Sequence, residues 1–292
     1  MIFYVKGAYD VLRESDLQKL DFFIQRSREK AIDSAKYDGK FGFGVGIYSS
    51  DVCQELGQSE PIKSLADRLK IMEQIRGVDF VFPIESLDEK EINKSALEAY
   101  NRMLAEREKN KDKPKLDKMY DLGYAPGTYD LFHAGHLENL MIAASACKRL
   151  IVGVKGDELV KEHKKRDAVI CCRERMEILR HFKFVYDTYS YYTRDLYSAK
   201  DWIKSKHNQD VDAIFLGEDL IEDFKKYQED SNINLVFTPR PAEKQKSVST
   251  TALRTIYLGR IPPGTVFTEK RPDTDLAIID DKKIDPDGQE IK

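Results

Sequence analysis

Apolar residues along the chain gather in short runs that stop at glycine-containing turns, and between the runs they recur with helical spacing. Ile2 to Val5 and Phe41 to Tyr48 are the first two runs; Met119 to Ala125 and Leu150 to Val154 repeat the plan further on. Runs of that length bounded by turn residues predict strands, and the amphipathic stretches between them predict helices. Strand, helix, strand, helix implies parallel strands with right-handed crossovers, so the expected class is α/β with a doubly wound parallel sheet.

The two stretches are copies of one unit. Gly7-Ala8-Tyr9-Asp10 recurs as Gly127-Thr128-Tyr129-Asp130, and Leu17 falls opposite Leu137 at the same offset. At a second constant offset Val45-Gly46-Ile47 matches Val152-Gly153-Val154, and Arg68, Ile71 and Val78 fall opposite Arg175, Ile178 and Val185. The second copy goes on through Ala213 to Leu216, then Gly217-Glu218-Asp219, Leu235 to Phe237, and a helix opened by Ser249-Thr250-Thr251. The first copy shows no counterpart of these. The expected layout is a degenerate, shorter copy at 1–98, a charged helical connector at 99–118, a full domain at 119–260 and an extended or partly disordered tail at 261–292.

Charge and cysteine content narrow the class. With 48 basic against 51 acidic residues, nothing global draws the chain to nucleic acid or to anionic lipid, so any attraction for phosphate is local. Cys53, Cys147, Cys171 and Cys172 lack metal-ligand spacing and are expected to be reduced thiols, with no protein-held metal. No apolar run is long enough to cross a membrane, and residues 1–5 lack signal-peptide character. A cytoplasmic protein without membrane insertion is expected.

The strongest chemical signal is Gly127-Thr128-Tyr129-Asp130-Leu131-Phe132-His133-Ala134-Gly135-His136. A strand ending in a turn before a helix directs backbone N–H groups and a favourable field at a phosphate. Two histidines three apart share one helical face there, and Gly135 leaves room for close approach.

This segment resembles the signature of the cytidylyltransferase family, whose members make CDP-glycerol, CDP-choline or CDP-ethanolamine. The resemblance covers nearly the whole second copy and implies a Rossmann-like nucleotidyltransferase fold. It implies that His133 and His136 stabilise the pentacoordinate α-phosphate and the departing pyrophosphate. Lys164 falls where the family keeps a lysine reaching the phosphates of both substrates, with Lys165 as the alternative if the loop shifts by one. The resemblance further implies nucleotide contacts from Gly127, Thr128, Tyr129, Asp130, Gly135, Arg175, Gly217, Asp219, Ser249, Thr250 and Thr251, and acceptor contacts from Lys164, Tyr192 and Arg240. Here eight residues, Pro241 to Val248, separate Arg240 from the Ser-Thr pair. That gap is longer than the family's, which opens Lys244 or Lys246 as a substitute.

The expected substrates are CTP and a small phosphorylated alcohol, with Mg²⁺ bound through the triphosphate. The same fold also carries adenylyl transfer from ATP, as in the heptose-phosphate and pantetheine-phosphate enzymes, and a retired nucleotide-binding scaffold is the third reading. Opposite the histidines the first copy has Arg13 and Asp16, with Ser15 for Gly135. It is therefore expected to be inactive and to support dimerisation or pack against the active copy; a homodimer is expected.

Overall fold

The computed structural model describes residues 2–33, 41–111, 117–193, 195, 198–224, 234–239, 250–259 and 277–279. In chain order the elements begin β1 (Ile2–Gly7), α1 (Glu14–Asp33), β2 (Gly42–Tyr48), α2 (Ser50–Glu55), α3 (Leu65–Glu73), β3 (Phe80–Ile84) and α4 (Glu89–Asn110). They continue with β4 (Tyr120–Gly127), α5 (Ala134–Ala146), β5 (Cys147–Lys155), α6 (Asp157–Lys164), α7 (Cys172–Arg180), β6 (Asp187–Tyr191) and α8 (Lys200–His207). The last are β7 (Ala213–Gly217), a 3-10 turn at Glu218–Leu220, α9 (Ile221–Phe224), β8 (Asn234–Thr238), α10 (Thr250–Gly259) and β9 (Ala277–Ile279). These form two compact units, Met1–Lys115 with Ile256–Lys292 and Leu116–Thr255. Among the described residues no helix is long and apolar enough to cross a membrane.

In the second unit five parallel strands lie in the order β6-β5-β4-β7-β8. The chain winds outward from β4 through β5 to β6, then returns to the other side of β4 for β7 and β8. This doubly wound parallel α/β arrangement is the expected fold class, and the winding reverses between β4 and β7. The carboxyl ends of strands at such a reversal frame a crevice that ligands use. The strands read as apolar runs because both faces are covered: Leu122, Tyr124, Ile151, Ile214 and Leu235 pack with Ile203 of α8 in one cluster.

The first unit repeats the outward half. Its sheet runs β3-β2-β1-β9, with β1, β2 and β3 parallel. Gly44 of β2 lies under an aromatic ring, since a Cβ there would meet Phe80 at 2.3 Å. Where β7 stands beside β4, the first unit has β9, which runs antiparallel and pairs with Ile2, Phe3 and Tyr4. The carboxyl end of β1 is thus without the parallel neighbour that frames the crevice in the second unit.

Within the tail, Ala277–Ile279 supplies the strand β9, and the expected connector needs correction. A three-residue strand is too short to carry a period that could reveal it. The dense charge from Asn101 marks only the outer half of α4, a helix that begins at Glu89. Ala96, Ala99, Tyr100 and Met103 on its other face are buried against Ile2, Tyr4, Phe80 and Phe82, so residues 99–103 belong to the first unit's core rather than to a solvated connector.

Candidate functional site

The bend after β4 is held by residues that both copies share. Tyr129 adopts φ 54°, a left-handed conformation uncommon for a residue with a side chain, and its ring folds back over Gly127. A Cβ on Gly127 would meet Tyr129 Cζ at 2.6 Å, so only glycine fits. Asp130 accepts from the backbone N–H groups of Val169 at 2.9 Å and Ile170 at 3.0 Å, tying the bend to the segment before α7. Arg175, 1% exposed, donates to Ile170 O at 2.8 Å, Lys155 O at 2.9 Å and Asp157 Oδ1 at 2.6 Å, and also to Thr128 O.

The first unit has the same brace. Tyr9 has φ 46° and lies over Gly7, where a Cβ would meet its ring at 2.7 Å. Asp10 accepts from Ile62 N at 2.8 Å and Lys63 N at 2.9 Å. Arg68 donates to Lys63 O at 3.2 Å, Ala8 O at 2.8 Å and Tyr48 O at 2.7 Å. Asp130 and Arg175, expected to bind nucleotide, therefore spend their polar atoms on other groups of the protein, mostly backbone, and hold the loop from behind. Their recurrence in a copy without histidines is the sequence signal for that role.

What the copies do not share sits in front of the brace. His133 is the N-cap of α5: its Nδ1 accepts from Gly135 N at 3.1 Å, which in the neutral ring leaves Nε2 as the N–H donor. That nitrogen lies 3.2 Å from Thr250 Oγ1. The His136 ring stacks on His133 with centroids 3.9 Å apart and planes 25° apart. It is walled by Tyr129 at 5.4 Å and Phe132 at 5.6 Å. The room left by Gly135 is used by His133 itself, whose Cε1 would lie 3.1 Å from a Cβ.

A cavity of about 220 Å³ opens at the carboxyl ends of β4 and β7, bordered by Gly127, Thr128, His136, Lys164, Gly217 and Asp219. Lys164 closes α6 and reaches the cavity from across the loop. Partial burial holds its ammonium below the usual lysine range, Arg166 and Arg175 push it the same way, and Asp130 opposes them. The start of α10 docks beside the histidines: besides Thr250, Thr251 Oγ1 accepts from Arg166 at 3.4 Å, and Arg254 pairs with Asp130 at 3.8 Å.

Arg166, Arg254 and Asn139 escaped the sequence reading. Arg254 was detectable as the residue one turn after Thr250 on the same helical face. Tyr192 does not border the cavity; it is 59% exposed and its ring lies on Gly156. Arg240, Lys244, Lys246 and Ser249 fall outside the described residues. Among those described, no three of His, Cys, Asp and Glu gather as a metal site.

Comparison with known proteins bears on this unit. The family described as cytidylyltransferase-like matches residues 124–256. These residues are similar to a cytidylyltransferase-like domain. Over 62 residues the chain is 40% identical to "Probable ethanolamine-phosphate cytidylyltransferase" of Encephalitozoon cuniculi, covering 21% of this chain and 19% of that protein. Over 65 residues the chain is also 40% identical to FAD synthase of Thermococcus onnurineus, covering 22% of this chain and 43% of the relative. The chain thus matches less than half the length of either relative. A solved structure, the lipopolysaccharide core biosynthesis protein from Thermoplasma volcanium GSS1, is 20% identical with a TM-score of 0.35, over 41% of this chain and 96% of the other.

Proposed function

We propose that the cytidylyltransferase-like domain transfers CMP from CTP to a small phosphorylated alcohol, such as glycerol 3-phosphate, ethanolamine phosphate or choline phosphate. The observation that carries this reading is the stacked pair His133 and His136, with His136 and Lys164 bordering one cavity. A phosphate oxygen of the acceptor attacks the α-phosphorus, a new P–O bond forms, and the bond to the β-phosphate oxygen breaks to release pyrophosphate. The attacking monoester is already ionised near neutral pH, so no general base is required. Catalysis then rests on positioning and on donors aimed at the charge that builds up.

His133 Nε2–H and His136 supply such donors at the head of α5, where the helix field also favours negative charge. Lys164 spans the acceptor phosphate and the α-phosphate. Thr250 and Thr251, at the start of α10, hold the β- and γ-phosphates, and Ser249 and Arg240 would extend that grip. Magnesium fits this site as an ion carried by the triphosphate, where it would neutralise phosphate charge. The first unit, with Arg13 and Asp16 in place of the histidines, takes no part in turnover and serves assembly of a homodimer.

Lys164 makes the reading pH-sensitive. Its ammonium is needed in the charged form, and its lowered proton affinity means that form is lost at a lower pH than for an ordinary lysine. We expect kcat/KM to fall on the alkaline side below the usual lysine range. Lys164→Arg, which stays charged throughout, should move that limb upward; a limb unchanged by the substitution excludes Lys164 as its source.

Adenylyl transfer is the second reading, favoured by the FAD synthases among the relatives, since FAD contains an AMP moiety. Pyrophosphate release measured with CTP and ATP in parallel, against the three phospho-alcohols and FMN, separates the two. Turnover with CTP and one phospho-alcohol supports the proposal, and turnover with ATP alone replaces it.

A further inference from the structure

The face of α5 that borders the cavity carries two polar residues one turn apart, His136 and Asn139. His136 belongs to the phosphate chemistry, whereas Asn139 has no part in it. The Asn139 carbonyl oxygen is enclosed and, among the described residues, accepts no hydrogen bond. Leu140 and Phe215 also border the cavity, and their side chains offer none. Thr238, also there, already donates to Leu216 O at 3.1 Å. An enclosed amide oxygen left without a donor costs stability that an apolar group of the same shape would not. Asparagine at this place is explained by a ligand rather than by the fold.

We propose that Asn139 recognises the polar edge of the nucleobase, its amide pairing with the adjacent donor and acceptor of an aminopyrimidine or aminopurine ring lying against Phe215. This inference rests on the nucleotidyl-transfer reading and deepens it. The histidines and the helix start place the phosphates at the head of α5. Asn139 lies one turn further along α5, beyond the phosphates, where the uncharged part of the nucleotide belongs. An amide is suited to a base edge because it offers a donor and an acceptor side by side. Since no internal partner fixes the amide plane, it can turn to match the ring.

Affinities of the full chain for CTP, ATP and inorganic tripolyphosphate, together with the melting temperature, test this in Asn139→Leu and Asn139→Ala. The nucleotide bound by the parent protein should bind about tenfold more weakly in both variants, with tripolyphosphate affinity unchanged. Asn139→Leu should melt no lower than the parent. Equal losses for nucleotide and tripolyphosphate would overturn the base-reading role, and so would unchanged nucleotide affinity. A parent protein that binds tripolyphosphate but neither nucleotide overturns the nucleotidyl-transfer reading as well.

Discussion

Replacing His136 with alanine is expected to lower kcat by about 10²–10³-fold, the usual consequence of deleting one donor aimed at transition-state charge, with the fold intact. His136 is half-buried and lies at the cavity rather than in the apolar core, so its removal exposes no large surface. His133 needs a subtler substitution because it also caps α5 through Nδ1. Alanine there would add a capping loss of about 1 kcal/mol. His133→Asn keeps a capping side chain and removes the Nε2 donor, so the same fall in kcat should appear with little change in melting temperature. Pyrophosphate release and thermal melts on the same samples check both, and full turnover in either variant contradicts the assigned chemistry.

The second large effect is on stability. Arg175→Met removes the fork that joins Thr128, Lys155, Asp157 and Ile170. It strands buried carbonyl oxygens behind the bend, and breaking a buried charged network of this kind costs about 3–5 kcal/mol. For a unit the size of Leu116–Thr255 that corresponds to a drop on the order of 10 °C. Arg68→Met should destabilise the first unit by the same mechanism while leaving turnover per folded molecule unchanged. Calorimetry with activity measured below the transition distinguishes brace from ligand contact. If Arg175→Met melts normally and loses only nucleotide affinity, Arg175 is a phosphate ligand and the brace is secondary.

The paired substitutions follow from the duplication, which also explains what was legible in the sequence. The β4–α5 bend could be read because its needs are local: a glycine beneath a tyrosine ring, an aspartate facing two amides, and an arginine at a fixed later offset. The same four residues recur in the first unit with corresponding backbone partners, so what persists there marks the scaffold. His133, His136 and Lys164, which do not persist, mark the proposed chemistry. Arg175 was ambiguous from sequence because a guanidinium suits phosphate oxygens and carbonyl oxygens alike; only its burial separates the two.

Other features depend on which way an element faces in three dimensions. The buried half of α4 hides in a charged sequence because Ala96, Ala99, Tyr100 and Met103 share one side. The strand at Ala277–Ile279 is defined by pairing with β1, distant in the chain. Asn139 gains interest only once the cavity is seen. Tyr192 looked like an acceptor contact by position, yet its ring covers Gly156.

The central claim is tested most directly by ³¹P NMR of the full chain with magnesium, CTP and each phospho-alcohol in turn. The account predicts one pyrophosphate released for every new diphosphate diester, with one acceptor strongly preferred and formation slowed about 10²–10³-fold in His136→Ala. CTP left intact with every acceptor, or cleaved to CMP without joining to any of them, would contradict it.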